Sequence, residues 1–371
     1  MKKILLTSAA LFTILTYAGP KADIEAANKL YEAKKTQEAQ ELLKKSVLVK
    51  GEEKEFEEIN LHLAQTVAKT DAEIKMYLGK ITANKESKTD IAKYANRQLL
   101  NMVSTDKERV ALAEELNARY ESKDAVTLGQ LAYLYDKVEN KNKYSEIYNL
   151  AMKNTNKNFI ATFLYAIAEN MLVRGNANGL NFANKVIALN ISEISARTHI
   201  IISDYYFDIL KDKTKGYNSL NSAEKLAPKS AEIIYTIGLR YLTLNELTKS
   251  YNYLQKVDKL APNNSEITMR LFIVSSKIGK TKDEAVYASR LKKLHKANNT
   301  MLGTLLLNNN NATGAEKYYK LGLRDKNNDA NLGLAYVEAA KGNKAAALKW
   351  ATTAKQLKVA GAEEFIKQLN K

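Results

Sequence analysis

Apolar residues recur three, four and seven positions apart along most of the chain, which is the spacing of one face of an α-helix. In the clearest stretch, Ile234, Ile237 and Tyr241 share one such face, and Leu254 and Val257 share the next. Glycine and proline, 15 and 3 of the 371 residues, are too few for the frequent turns of a sandwich, barrel or propeller. The pattern therefore predicts an all-α fold.

These helical stripes repeat with a period of 34 residues. The string Lys225-Leu226-Ala227-Pro228 recurs as Lys259-Leu260-Ala261-Pro262, and Ser230-Ala231-Glu232-Ile233 is matched by Asn264-Ser265-Glu266-Ile267. Within the repeat, Gly238 would let two helix backbones approach closely, and each proline would end a helix before the next repeat begins. The repeat predicts pairs of helices stacked one after another.

This spacing resembles the tetratricopeptide repeat, in which a bulky residue, a Leu-Gly pair, a tyrosine, an alanine and a proline stand at similar intervals. The resemblance is specific over residues 196–300, moderate over 125–195 and 326–360, and poor over 52–124 and 300–325. It implies an α-solenoid, a right-handed superhelix of about ten helix-turn-helix units. We expect a region of degenerate repeats over 23–124, a repeat array over 125–361 and a capping helix over 362–371.

The first residues have the order of a secretory signal peptide: Met1-Lys2-Lys3, an apolar stretch from Ile4 to Ala18, and then small residues. We predict a signal over residues 1–18, with cleavage after Ala18 or Ala22. The chain has no cysteine, so disulfides, thiolate metal sites and a lipoprotein anchor are excluded. The expected location is periplasmic or secreted.

The formal net charge is +16, and it is unevenly distributed. Residues 23–124 hold 18 basic and 20 acidic residues, whereas 125–371 hold 36 basic and 21 acidic ones. The densest basic patch comprises Arg270, Lys280, Lys282, Arg290, Lys292, Lys293 and Lys296. Such a surface attracts anionic polymers, acidic proteins or lipid headgroups, but export argues against nucleic acid. A solvated lysine face in a lysine-rich chain is the alternative interpretation.

No catalytic constellation is present in the sequence. His62, His199 and His295 are isolated, and no HExxH, GxSxG, GxGxxG or phosphate-loop string occurs. The acidic run over residues 52–58 lacks the spacing of a calcium loop, so we expect it to be a solvated helix start. We predict neither a metal nor a cofactor, and no enzymatic activity.

The resemblance implies that the first helix of each unit lines a concave groove. Residues out of phase with the packing stripe would face this groove, with apolar residues in its middle and charges at its edges. These candidates are Tyr165, Glu169, Glu232, Tyr235, Leu239, Leu242, Thr243, Glu266, Met269, Ile273 and Lys277. Packing of the same side chains against neighbouring helices is the alternative.

Two functional hypotheses follow. The first is an exported, non-enzymatic scaffold or adaptor whose groove binds a peptide or protein of the cell envelope. The second is a basic envelope-associating protein, which would bind anionic cell-wall polymer or a membrane surface through its lysine-rich C-terminal two-thirds. The salt dependence of binding distinguishes the two hypotheses, because only the second depends on attraction between charges, which salt screens.

Overall fold

A computed structural model describes residues 19–33 and 35–370, and every regular element in these residues is helical. The predicted signal segment, 1–18, lies outside the described residues. The chain divides into two compact units, one ending at Ile194 and the other beginning at Ser195. Within the described residues, no helix is both long enough and apolar enough to cross a membrane.

The described part of the first unit contains ten helices, and one π-helical turn, Leu63–Val67, follows the third. They are α1 (Pro20–Glu32), α2 (Thr36–Lys44), α3 (Glu53–His62), α4 (Asp71–Thr82), α5 (Asp90–Met102), α6 (Asp106–Arg119), α7 (Ala125–Lys137), α8 (Lys141–Met152), α9 (Lys157–Leu172) and α10 (Gly179–Ala188).

The remaining helices belong to the second unit, except that the first three residues of the first of them precede its boundary, and a π-helical turn, Tyr205–Ile209, follows that helix. They are α11 (Ser192–Asp204), α12 (Lys213–Leu226), α13 (Ala231–Thr243), α14 (Leu247–Leu260), α15 (Ser265–Lys277), α16 (Thr281–His295), α17 (Asn299–Leu307), α18 (Ala312–Arg324), α19 (Asp329–Ala340), α20 (Lys344–Gln356) and α21 (Ala362–Leu369).

Consecutive helices pack in pairs, and within each unit the pairs pack on their neighbours. We call the odd-numbered member of each pair its first helix and the even-numbered member its second helix. The predicted all-α solenoid of tetratricopeptide-like repeats is confirmed. Residues 300–325 also form a pair, α17 and α18, although they match the repeat pattern poorly. The final helix, α21, packs on α20 and buries Ala362 and Phe365.

Asparagine performs many of the local tasks that glycine and proline perform elsewhere. The side chains of Asn140 and Asn264 accept hydrogen bonds from the first turns of α8 and α15, which caps those helices. Asn190, Asn245 and Asn310 adopt φ values of 56°, 58° and 57° in turns after helices. Asparagine tolerates this left-handed backbone better than most residues. The chain can therefore make tight helix–helix turns with few glycines.

The acidic run at the start of α3 is expected from the sequence to be solvated, but one of its glutamates is buried. The Glu57 side chain is buried, with 1% of the residue exposed, so a fully solvated helix start is wrong there. Its carboxylate accepts hydrogen bonds from the hydroxyl groups of Ser87, at 2.5 Å, and Thr89. These bonds replace the lost contact with water, and they tie α3 to the turn before α5.

Gly129 marks the closest approach between consecutive first helices in the first unit. A Cβ atom at this position would lie 2.6 Å from the carbonyl oxygen of Phe163 and 2.7 Å from the Cβ of Ala166, both in α9. The backbones of α7 and α9 thus touch directly. Gly238 serves a similar purpose within one pair, because its Cβ would lie 3.2 Å from the Cβ of Tyr253 in α14.

We expect Gly129→Ala to destabilise the chain by about 1–3 kcal/mol, because the added methyl group meets a backbone carbonyl that cannot move aside. Gly79→Ala is the matched control, since Gly79 lies inside α4 with no atom within 4 Å of the added Cβ. That change should stabilise the helix by about 0.5–1 kcal/mol. Urea unfolding followed by circular dichroism measures both. Equal effects of the two substitutions would contradict the close packing of α7 on α9.

Candidate functional site

The predicted groove residues all lie on first helices. Tyr165 and Glu169 are in α9 of the first unit. The others are in α13 and α15 of the second unit and form one neighbouring set: Glu232, Tyr235, Leu239, Leu242, Thr243, Glu266, Met269, Ile273 and Lys277.

A three-residue polar network joins α13 to α15. The Tyr235 hydroxyl group donates to the Glu266 carboxylate, and Arg270 Nε donates to the Tyr235 oxygen at 2.5 Å. Arg270 also pairs with Glu266 at 3.0 Å. Burial, followed by the bond to Glu266, raises the pKa of Tyr235 to about 12. The bond from Tyr235, followed by that from Arg270, lowers the pKa of Glu266.

A second ion pair connects α11 to α13 on the first helices. Arg197 and Glu232 approach to 2.7 Å, and both side chains remain substantially exposed. An exposed pair of this kind contributes at most about 1 kcal/mol to stability. Its main effect is to fix the position of two charged side chains at one edge of the candidate surface.

The middle of this surface is apolar and only partly covered. Leu239, Leu242 and Met269 are half-buried, and the last two pack against the core of the second unit. Ile273 is 8% exposed and belongs to that core, so it offers little area to a partner. Thr243 and Lys277 are exposed at the C-terminal ends of α13 and α15.

A separate cleft of about 750 Å³ lies on the later first helices of the second unit. Its walls come mainly from α17, α19 and the turn after α20, and Tyr319 of α18 also contributes. Met301 and Tyr336 line it with 53% and 40% of their areas exposed. The Tyr336 ring lies 4.3 Å from the Phe365 ring of α21. Apolar residues such as Leu307, Leu332 and Val359 also line the cleft, and Thr300, Thr304, Asn308, Asn327 and Asp329 add polar groups.

Two features of the sequence hide this cleft. Residues 300–325 match the repeat poorly, so no groove phase could be assigned to Met301. Tyr336 follows Leu332-Gly333 at the repeat spacing, which indicated a packing position. In the structure the ring contacts Phe365 of the terminal helix α21, and Tyr336 still keeps 40% of its area exposed.

In the first unit, Tyr165 and Glu169 are bonded to each other on α9. The Tyr165 hydroxyl group donates to Glu169 Oε1 at 2.9 Å. Burial raises the pKa of Glu169. The hydrogen bond from Tyr165 and the positive charge of Arg97 act in the opposite direction. The pair is partly buried, which suits a polar contact at the side of a groove.

The predicted basic patch contains two kinds of residue. Arg270 and Arg290 are engaged internally, and Arg290 bonds both carboxylate oxygens of Asp258, at 2.6 and 2.8 Å. Lys280 lies over the Tyr251 ring, 5.2 Å from its centroid. Lys282, Lys292, Lys293 and Lys296 are exposed, and within the described residues none of them forms an ion pair.

Histidines and carboxylates do not assemble into a metal site in the part of the chain that the structure describes, where no group of three potential ligands is close enough to hold an ion. His62 instead contacts Tyr31, with 3.4 Å between Nε2 and the hydroxyl oxygen. His199 is half-buried, and burial lowers its pKa.

No protein-family model matches the sequence, and no curated protein matches it. Among solved structures, PilF of Pseudomonas aeruginosa is similar at 16% identity and a TM-score of 0.35, over 58% of this chain and 99% of that one. The type IV pilus biogenesis factor PilW gives 18% identity and a TM-score of 0.35, over 57% and 99%. The Cut9–Hcn1 complex gives 15% and 0.35, over 95% and 76%. At TM-scores this low, the likeness says nothing about function.

The raised pKa of Tyr235 predicts that the folded chain loses stability at alkaline pH. Its pKa is about 12 in the folded chain against an ordinary value of 10.0. The unfolded chain therefore releases this proton first, and the contribution of Tyr235 to stability falls as the pH rises from 10 to 12. Tyr235→Phe should lose less stability over that interval than the parent chain. Urea unfolding at several pH values measures the slope, and identical slopes would contradict the burial of this hydroxyl group.

Proposed function

We propose that the protein is an exported, non-enzymatic scaffold that binds a peptide segment of a cell-envelope protein on the first helices of its second unit. The observation that carries the proposal is the partly exposed apolar surface of Leu239, Met269, Met301 and Tyr336, with polar and charged residues around it. Binding surfaces for peptides combine apolar anchors with a polar rim in this way.

The charged residues around the surface support a directional mode of binding. Glu232, Glu266 and Arg270 are already held by internal bonds, so they present fixed charges without further loss of side-chain freedom. A peptide would contribute apolar side chains to the cleft and to Met269, and its polar groups would meet the fixed charges at the rim. Fixed partners lower the entropic cost of ordering an interface.

Export is part of the same proposal. It is supported by the basic, apolar and small-residue order of residues 1–22, and the absence of cysteine leaves no thiol for a lipid anchor. A periplasmic or secreted location is the corresponding expectation, and a partner in the envelope follows from it.

Site-specific photo-crosslinking tests the proposed binding surface. A photoreactive residue at Met301 should capture one defined protein from an envelope extract, and capture should persist at about 0.5 M salt because apolar contacts are not screened. The control position is Asn252, which is exposed on the second helix α14. Equal capture at both positions, or loss of all capture at this salt concentration, would refute the proposed mode of binding.

A double substitution measures how much this surface contributes to the binding affinity. Met301→Ser combined with Tyr336→Ser should weaken binding of the captured partner at least about tenfold, because two apolar anchors are lost. Val286→Ser with Leu294→Ser is the matched control, since these side chains are 56% and 42% exposed on α16. Calorimetry with the purified partner should show no change for the control. Circular dichroism verifies that both variants keep their helices.

A further inference from the structure

Basic side chains in the second unit are concentrated on its second helices. The five second helices, α12 to α20, carry 16 basic and 5 acidic residues, whereas the first helices α11 to α19 carry 4 basic and 6 acidic ones. In the first unit the second helices carry 9 of each sign. A general lysine bias would enrich all exposed helices alike. The excess is therefore a property of one set of helices in one unit.

The acidic residues on these second helices are already engaged. Four of the five carboxylates accept a hydrogen bond from a neighbouring second helix, which shows that α12, α14, α16 and α18 lie side by side. Lys256 donates to Glu224 at 2.5 Å, Tyr251 to Asp283 at 2.8 Å, Arg290 to Asp258 at 2.6 Å and Lys317 to Glu284 at 2.8 Å. The fifth carboxylate, that of Glu316, pairs with Lys320 at 2.5 Å.

Nine basic residues on the second helices remain exposed and, within the described residues, form no ion pair. They are Lys213, Lys225, Lys259, Lys282, Lys292, Lys293, Arg324, Lys344 and Lys349. Neighbouring packed helices lie about 8–10 Å apart. The result is a broad surface on which unpaired positive charge recurs from one helix to the next, which we call the lysine face.

Two ion-paired lysines on these second helices cover aromatic rings. Lys256 lies over the Tyr253 ring at 4.6 Å, and Lys317 lies over the Tyr318 ring at 5.2 Å. Among the described residues of these second helices, no aromatic side chain is exposed. Base stacking, on which single-stranded nucleic-acid binding depends, is therefore not offered. Insertion of aromatic side chains into a membrane interface is not offered either.

The composition of the face also bears on the chemistry of its partner. Eight of its nine cations are lysines, which act as hydrated point charges. They do not form the two parallel hydrogen bonds that arginine makes with a single carboxylate or phosphate. We propose that the lysine face binds a flexible linear polyanion without aromatic bases. The charges of such a chain, repeated along its length, would meet a cation on each helix that it crosses. This site is separate from the apolar surface of the first helices.

Binding of labelled long-chain inorganic polyphosphate to the purified chain tests the proposal. The variant changes Lys282, Lys292, Lys293 and Lys296 to Gln, in and just after α16. We expect affinity at low salt to fall about tenfold and the salt dependence of log affinity to become shallower, because fewer counterions are released. None of the four side chains forms an ion pair with described residues, so circular dichroism should be unchanged.

The control removes the same charge from the first unit by changing Lys75, Lys107, Lys141 and Lys153 to Gln. These lysines are also exposed and form no ion pair with described residues. Measured at the same salt concentration, the control should keep its affinity within about twofold, since none of its four lysines belongs to the lysine face. Equal weakening would mean attraction by net charge alone and would overturn the proposal. Tighter binding of single-stranded DNA or of anionic vesicles than of polyphosphate would overturn it as well.

Discussion

The structure depends on the packing of each helix pair against the next, because no pair can bury its apolar stripe alone. Contact at Gly129 shows how close this packing is, since α7 has no side chain where it meets the Phe163 carbonyl group. Stacking also makes neighbours of residues about one repeat apart in sequence. Ion pairs such as Arg197–Glu232 and Lys256–Glu224 exist only because the pairs stack. Surface chemistry is thus organised by the same repeat that forms the core.

Stacking gives the second unit two chemically different surfaces. The first helices combine partly exposed apolar side chains, such as Met301 and Tyr336, with charges that are already paired. The second helices carry an excess of unpaired lysines, and two of their paired lysines lie over the tyrosine rings of Tyr253 and Tyr318. Salt screens ionic attraction but not apolar contact, so binding to the two surfaces would differ in its dependence on salt.

The sequence was sufficient to predict the fold, because the 34-residue period and the helical spacing of apolar residues are properties of the chain itself. It also located the first-helix positions of Tyr235 and Glu266, which the structure joins in one network. It could not show that Ile273 is buried or that Tyr336 is partly open, because both depend on how far neighbouring helices cover a side chain. The burial of Glu57 was equally hidden, since its hydroxyl partners lie about 30 residues away in sequence.

Arginine and lysine have different roles in the second unit: most arginines are paired with carboxylates, whereas many lysines are not. Four of its five arginines pair with carboxylates: those at 197, 240 and 290 reach neighbouring helices or turns, and Arg270 pairs with Glu266 in its own helix. Arginine's rigid, multiply donating group suits such fixed bridges, whereas a lysine ammonium group keeps its hydration and mobility. Had the basic residues served only to join repeats, acidic partners would be present in similar number, as on the second helices of the first unit. The surplus of lysine therefore has no acidic partner among the second helices of the second unit, and the proposed polyanion site rests on this imbalance.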